Sequence, residues 1–363
     1  MQSTARTFPR RTAAVFSPEL RQHGLLLVVV AIYATIAFAL TAEYPLSHEG
    51  HDALAGLAAN FAERLPGMIF FILFWRLLVM RFAIRPADPW GWMRRDIISA
   101  LADRHRMISG FIGIALAAVI MISFGQLKRL IPIMHPFDWD TTFSSLDTAL
   151  HFGNAPWSLA HAIAGNPFVI TFVTGAYSIW FFLIYLVLLF ACFNTGAPDA
   201  RIRYLIAFVL CWGVGGNLIA TIFSSAGPVY YERLGLGDAY APLMDLLAAH
   251  AASQPISVIE PQDMLWAMYS GPAQLSGISA FPSMHVASSV LMTLYAFRLH
   301  RVAGYAMAAF TGVIMLGSVL LAWHYAVDGY AATVIAILSW LGAGWLMRAF
   351  PGLTPARPAP HRT

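Results

Sequence analysis

Eight apolar runs, each close to the roughly 20 residues that cross a bilayer as a helix, divide this chain: 24–42, 62–80, 108–132, 167–193, 203–224, 283–299, 304–322 and 326–348. They predict an all-α, polytopic bundle of about eight spans. Two stretches on the same side of this pattern do not span. Residues 137–165 mix Leu146, Leu150 and Trp157 with Asp140, Asp147 and Asn154, broken by Gly153 and Pro156, which predicts short helices lying in the interface. Residues 225–281 form a long, mostly apolar connection, and connections of this length are usually lids or disordered. Its Leu243, Met244, Leu246, Leu247, Met264, Leu265, Trp266 and Met268 argue for a collar at lipid depth or for packing against the bundle.

The basic residues orient the bundle. Four arginines precede the first run (Arg6, Arg10, Arg11, Arg21), and six separate the second from the third (Arg81, Arg85, Arg94, Arg95, Arg104, Arg106). Arg201 and Arg203, Arg298 and Arg301, and Arg348, Arg357 and Arg362 complete that face. The other face holds Arg64, Lys128, Arg129 and Arg233, and Arg76 snorkels from within the second run. By the positive-inside rule both termini are cytoplasmic. The expected setting is a bacterial inner membrane. Ala37-Phe38-Ala39 resembles a cleavage site, but the run before it reads better as a retained helix.

Organisation follows: residues 1–107 as a two-helix membrane extension with a cytoplasmic loop, 108–350 as a six-helix catalytic domain, and 351–363, with Pro351, Pro355, Pro358 and Pro360, as a disordered tail. Composition sharpens the class. Of 363 residues, 59% are hydrophobic and only 11% charged, against about 25% charged in soluble domains, and the mean hydropathy is +0.66. The net charge of +4 does not indicate nucleic acid, because the basic residues lie between apolar runs and not on one exposed face. Cys192 and Cys211 both fall inside spans, so neither a disulfide framework nor a cysteine metal site is indicated. Nothing in the sequence bears on oligomeric state.

Two polar islands interrupt the last apolar third: Phe281-Pro-Ser-Met-His285 and Trp323-His-Tyr-Ala-Val-Asp-Gly329. Helix order carries both to the extracytoplasmic face. A histidine or aspartate at a membrane edge is costly unless it faces a cavity or a partner. In the first island Pro282 and Ser283 suit a helix start, whose free amides and dipole favour an anion, and His285 stands within reach of a bound oxyanion. The plain alternative is a cap with an interfacial anchor. In the second, His324 and Asp328 are four apart and share a helical face, the spacing by which a carboxylate orients an imidazole; an interfacial cap with a satisfied aspartate is the alternative. A metal site is disfavoured, since two histidines and one aspartate have no further clustered ligands. No cofactor is called for.

Pro-Ser-x-His and His-x-x-x-Asp, each at the outer end of a helix near the C-terminus, resemble the second and third signature motifs of the type 2 phosphatidic acid phosphatase superfamily of lipid phosphatases and phosphotransferases. The resemblance covers roughly residues 205–350 and implies membrane lipid substrates, His324 as nucleophile, Asp328 as its orienter and His285 as general acid. Three departures accompany it. Ser318 stands where the phosphatase pattern has an arginine, six residues before the third-motif histidine. Lys128 to His135-Pro136 reproduces the spacing of the family's Lys-x6-Arg-Pro first motif with histidine for arginine, but two extra helices separate it from the second motif. In the expected position stands Phe223-Ser-Ser-Ala-Gly-Pro-Val-Tyr-Tyr231, with Arg233 beyond, which is more similar to the inositol phosphorylceramide and sphingomyelin synthase branch. Ser283, Lys128, Arg129 and Arg233 are then the candidate phosphate-binding residues, snorkelling being the alternative for the cations. The expected reaction is transfer of a phosphoryl or phosphorylated head group to an alcohol, with hydrolysis of a lipid phosphate or polyprenyl diphosphate as the rival. A channel or transporter using the three polar residues is the remote alternative; it predicts polar residues continuing through the bilayer below the site, where Ser288, Ser289, Thr293, Thr311, Ser318, Thr333 and Ser339 occur with no charge among them.

Overall fold

Apolar segments in a bilayer must satisfy their backbone internally, which leaves the helix as the economical element, and a computed structural model of the chain is all-α. It describes residues 18–44, 50–253, 258–271 and 277–355. The principal helices are α1 (Gly24–Ala42), α2 (Gly50–Leu78), α3 (Pro89–Ala102), α4 (Arg104–Met134), α5 (Asp140–Leu150), α6 (Pro156–Ala164), α7 (Pro167–Phe193) and α8 (Pro198–Leu210). They continue as α9 (Ala241–Ala251), α10 (Ile259–Ser270), α11 (Met284–Leu299), α12 (Arg301–Leu320) and α13 (Ala326–Ala349). Seven of the helical stretches, those at 24–42, 55–84, 104–134, 167–193, 198–222, 301–320 and 326–349, are long and apolar enough to cross a membrane. The remaining expected span, α11, has 16 residues, about 24 Å of helix against a core of about 30 Å. Its start is fixed by the Ser283 cap, which puts His285 in the first turn.

Helices α8, α11, α12 and α13 form the body, with α4 and α7 packed along it. After α8 the helix widens into π-type turns over Cys211–Ile219, the stretch containing Gly213, Gly215 and Gly216, and such turns recur near functional sites. Helix α1 belongs to this body. Its Leu25, Leu26, Val30, Tyr33 and Ala37 are buried, the Tyr33 hydroxyl donates to Asn217, and Arg201 reaches His23 at its start. Helix α2 sits at the edge, where Phe70, Phe71, Phe74 and Trp75 are exposed; such a surface is at home in hydrocarbon.

The non-spanning stretches form short helices, α5 and α6 in 137–165, and α9 and α10 in the long connection. Beyond α13, Pro351–Leu353 makes one 3-10 turn, and Leu353 packs beside Gly24. The rest of the proline-rich tail, 356–363, lies outside the described residues.

Candidate active site

The two islands meet because backbone groups tie their loops together. Ser283 N–H donates to the Asp328 carbonyl (3.2 Å), Val229 N–H to Ala322 O (3.0 Å), His324 N–H to Ser318 O (2.9 Å) and Ala280 N–H to Ser225 O (2.9 Å). Gly227 makes this knot possible. Its φ is +100°, and a Cβ there would lie 2.8 Å from Trp323 O, so a side chain would strain the backbone and clash at once.

Carboxylates from α5 hold the knot from above. Asp140 accepts from Ala226 N (2.9 Å), Gly227 N (2.8 Å) and the Tyr325 hydroxyl (2.8 Å). One turn pair further along, Asp147 accepts from Ala326 N (2.7 Å) and Val327 N (2.9 Å), the first free amides of α13, a cap supplied by another helix. Burial pushes both carboxyls up from the ordinary range, against these amide hydrogen bonds. Neither residue stood out as functional in the sequence. The only signal was their seven-residue spacing on an amphipathic helix, which places them on one face.

At the centre, His324 Nδ1 lies 2.8 Å from Ala280 O and 3.3 Å from Asp328 Oδ2. Both neighbours are acceptors, so Nδ1 carries the proton and Nε2 keeps its lone pair. Asp328 is wholly buried; its Oδ2 also accepts from Tyr325 N (3.1 Å), while Oδ1 has no hydrogen-bond partner. His324 is 6% exposed. Burial, and next the charge of Lys128, hold its imidazole down to about 3, so it is neutral at physiological pH. The His285 ring stands edge-on to His324 with centroids 5.9 Å apart. It lies in a sleeve of Tyr177, Trp180 and Phe181 from α7, at 4.8, 4.2 and 5.6 Å between centroids.

The other expected binding residues separate. Lys128 of α4 comes to the site, and its charge is felt at both imidazoles. Arg129 follows it on α4, half-buried, about 100° further around the helix. Ser283 is buried as the cap of α11, accepting from Val286 N. Arg233 pairs with Asp263 and covers Trp266, tying the turn after Tyr231 to α10. Sequence reasoning missed the sleeve: the Tyr177 hydroxyl, beside Ser318, and Trp180 Nε1 are buried donors without a well-formed hydrogen bond, and nothing in the run 167–193 marked them apart from other aromatics. Among the described residues no group of three or more His, Cys, Asp or Glu is placed to hold a metal ion.

A neutral imidazole with a fixed tautomer, facing a second imidazole and a cation inside a membrane, is equipped to attack phosphorus. The profile of the PAP2 superfamily matches residues 141–342, more than half of the 363-residue chain. The chain belongs to the PAP2 superfamily. It is an integral membrane enzyme of the lipid phosphatase and phosphotransferase class. No curated protein and no solved structure matches it. The matched segment begins in α5 and ends in α13, so Lys128 lies outside it.

Proposed function

We propose that this enzyme transfers a phosphoryl or phosphorylated head group from a membrane lipid to an alcohol, through a phosphohistidine on Nε2 of His324. The observation that carries the reading is the double restraint of His324 Nδ1 by Ala280 O and Asp328, which leaves Nε2 as the nucleophilic nitrogen. In the first step the N–P bond forms, the bond from phosphorus to the leaving oxygen breaks, and His285 gives that oxygen its proton. In the second, an acceptor hydroxyl attacks phosphorus, His285 takes its proton, and His324 departs. Asp328 balances the positive charge that His324 carries in the intermediate. A bound phosphate beside His285 favours its protonated form, the form that can donate to the leaving oxygen. The buried donors of Tyr177 and Trp180 suit phosphoryl oxygens, and Tyr177 stands beside Ser318, where the family's arginine is missing.

Aromatic packing in the loops that carry the site supports transfer over hydrolysis. Phe143 stacks on Phe281 at 4.5 Å, Phe223 meets Phe281 at 5.6 Å, and Tyr325 packs against Tyr240 at 5.8 Å. Apolar surroundings of this kind disfavour free water and favour an acceptor that partitions into the bilayer. The lysine-free segment Phe223–Tyr231 supports the same branch, that of the inositol phosphorylceramide and sphingomyelin synthases. Purified protein offered a mixed lipid extract should make new phospholipid species only when an alcohol acceptor is supplied, as read by mass spectrometry of the lipids. Inorganic phosphate released at one rate with and without acceptors would make the enzyme a hydrolase.

The distribution of basic residues supports a site on the extracytoplasmic face. With Cys192 and Cys211 replaced by Ala, an Asn154→Cys variant in intact cells is expected to react with a membrane-impermeant thiol reagent, and an Ala303→Cys variant is not. Both positions are exposed. The reverse labelling would move the chemistry to the cytoplasm.

A further inference from the structure

We infer that a slot between α2, α4 and α7 holds one hydrocarbon chain of the lipid substrate, with its phosphate at Lys128 and His285; this rests on the reading that the site acts on a lipid phosphate. The slot is a cavity of about 220 Å³ whose walls include Ala58 and Phe61 of α2, Ala118 and Met121 of α4, and Tyr185 and Leu188 of α7. The slot is half open, with Ala58 exposed, and an apolar opening among membrane-spanning helices is filled by hydrocarbon. Water is therefore not its natural occupant.

Two helices lead from the slot to the chemistry. On α4, Ile114, Ala118, Met121, Gly125 and Lys128 follow one another at spacings of three and four, so they share a face. Gly125 fills the step between slot and cation, and a Cβ there would meet nothing within 4 Å; the path is open. On α7 the same spacing runs from Tyr177 and Phe181, which touch His285, to Tyr185 and Leu188 in the wall. From Lys128 the rise along α4 is about 10 Å to Met121 and about 21 Å to Ile114, so only a long chain, reaching past the middle of the roughly 30 Å core, fills the slot. A lipid in this position meets hydrocarbon along its chain and a cation at its phosphate. Two of the three walls, α2 and α4, precede residue 141 and so lie outside the PAP2 match. Chain selection thus comes from helices that this protein adds to the matched segment.

The test uses the full-length protein and dioleoyl phosphatidic acid bearing a diazirine in one chain. Photolysis should label residues 114–121 and 185–192, and unlabelled lipid should compete. Ala118→Phe should lower that labelling, and the ratio of kcat/KM for dioleoyl over dihexanoyl phosphatidic acid, each by about 10-fold or more, the discrimination apolar pockets supply. Should Ala118→Phe disturb α4, Ala58→Phe fills the slot from α2 and must have the same effect. Label spread over the lipid-facing helices, or unchanged in both variants, overturns the slot and marks its occupant as a bystander lipid. The two readings fail separately: slot labelling without turnover of any lipid phosphate would sink the proposed activity alone, and turnover with labelling elsewhere would sink the slot alone.

Discussion

His324→Ala is expected to fold and to lose turnover by about 10⁴-fold or more, the scale of removing a covalent nucleophile. The loss is large because the variant removes the nitrogen whose partner atom is held by Ala280 O and Asp328, and His285 stands apart from it, edge-on with centroids at 5.9 Å. Folding survives for a separate reason. The variant leaves the Ala280 carbonyl unpaired and Asp328 Oδ2 with only its bond from Tyr325 N, a cost of about 1–3 kcal/mol. The loops stay knotted by backbone bonds that do not involve the imidazole, among them Ser283 N to Asp328 O and Val229 N to Ala322 O. The measurement pairs turnover with trapping of an acid-labile phosphoprotein from labelled lipid, and a monodisperse elution profile checks the fold. Turnover by the variant at even about a tenth of the wild-type rate would rule out covalent catalysis by this residue.

Much of this arrangement was legible because membrane burial makes polar residues expensive. His285, His324 and Asp328 stood out as polar groups in an apolar third of the chain, and the four-residue spacing of His324 and Asp328 is realised as a 3.3 Å contact. Lys128 was legible through charge sorting, being one of few cations on its face, although its approach to both imidazoles depends on how α4 packs. Other features are long-range and left no local trace. Asp140 meets Tyr325 across 185 positions, and Asp147 caps α13 from 180 residues upstream; a pattern of apolar periodicity reports a face, not the partner that the face will find. Arg233 shows the converse. Its charge made it a candidate for phosphate, but Asp263 on α10 folds back to meet it, and only the tertiary structure reveals that pairing. Likewise α1 looked like part of an added pair of helices, whereas the buried Tyr33 and Asn217 contact sets it within the bundle.

His285→Ala should behave differently from His324→Ala, and the leaving group is the variable that separates them. If His285 protonates the departing oxygen, its removal costs about 10²–10⁴ in rate when that oxygen belongs to a poor alkoxide leaving group, the range for general acid catalysis. A nitrophenolate departs without needing the proton. With a nitrophenyl phosphate or phosphodiester, His285→Ala is therefore expected to regain most of its lost rate in forming the His324 adduct, while His324→Ala regains none, because attack on phosphorus is still required. The geometry bears on the comparison: the His285 ring packs on Trp180 at 4.2 Å and on Tyr177 at 4.8 Å, so the truncation leaves a gap in an aromatic sleeve and keeps Lys128 and the His324 restraints in place. Single-turnover release of the leaving alcohol reports the first step alone, free of the acceptor's chemistry. Equal losses on good and poor leaving groups would contradict proton donation and assign His285 to holding the phosphate, a role in which its contribution no longer depends on what departs.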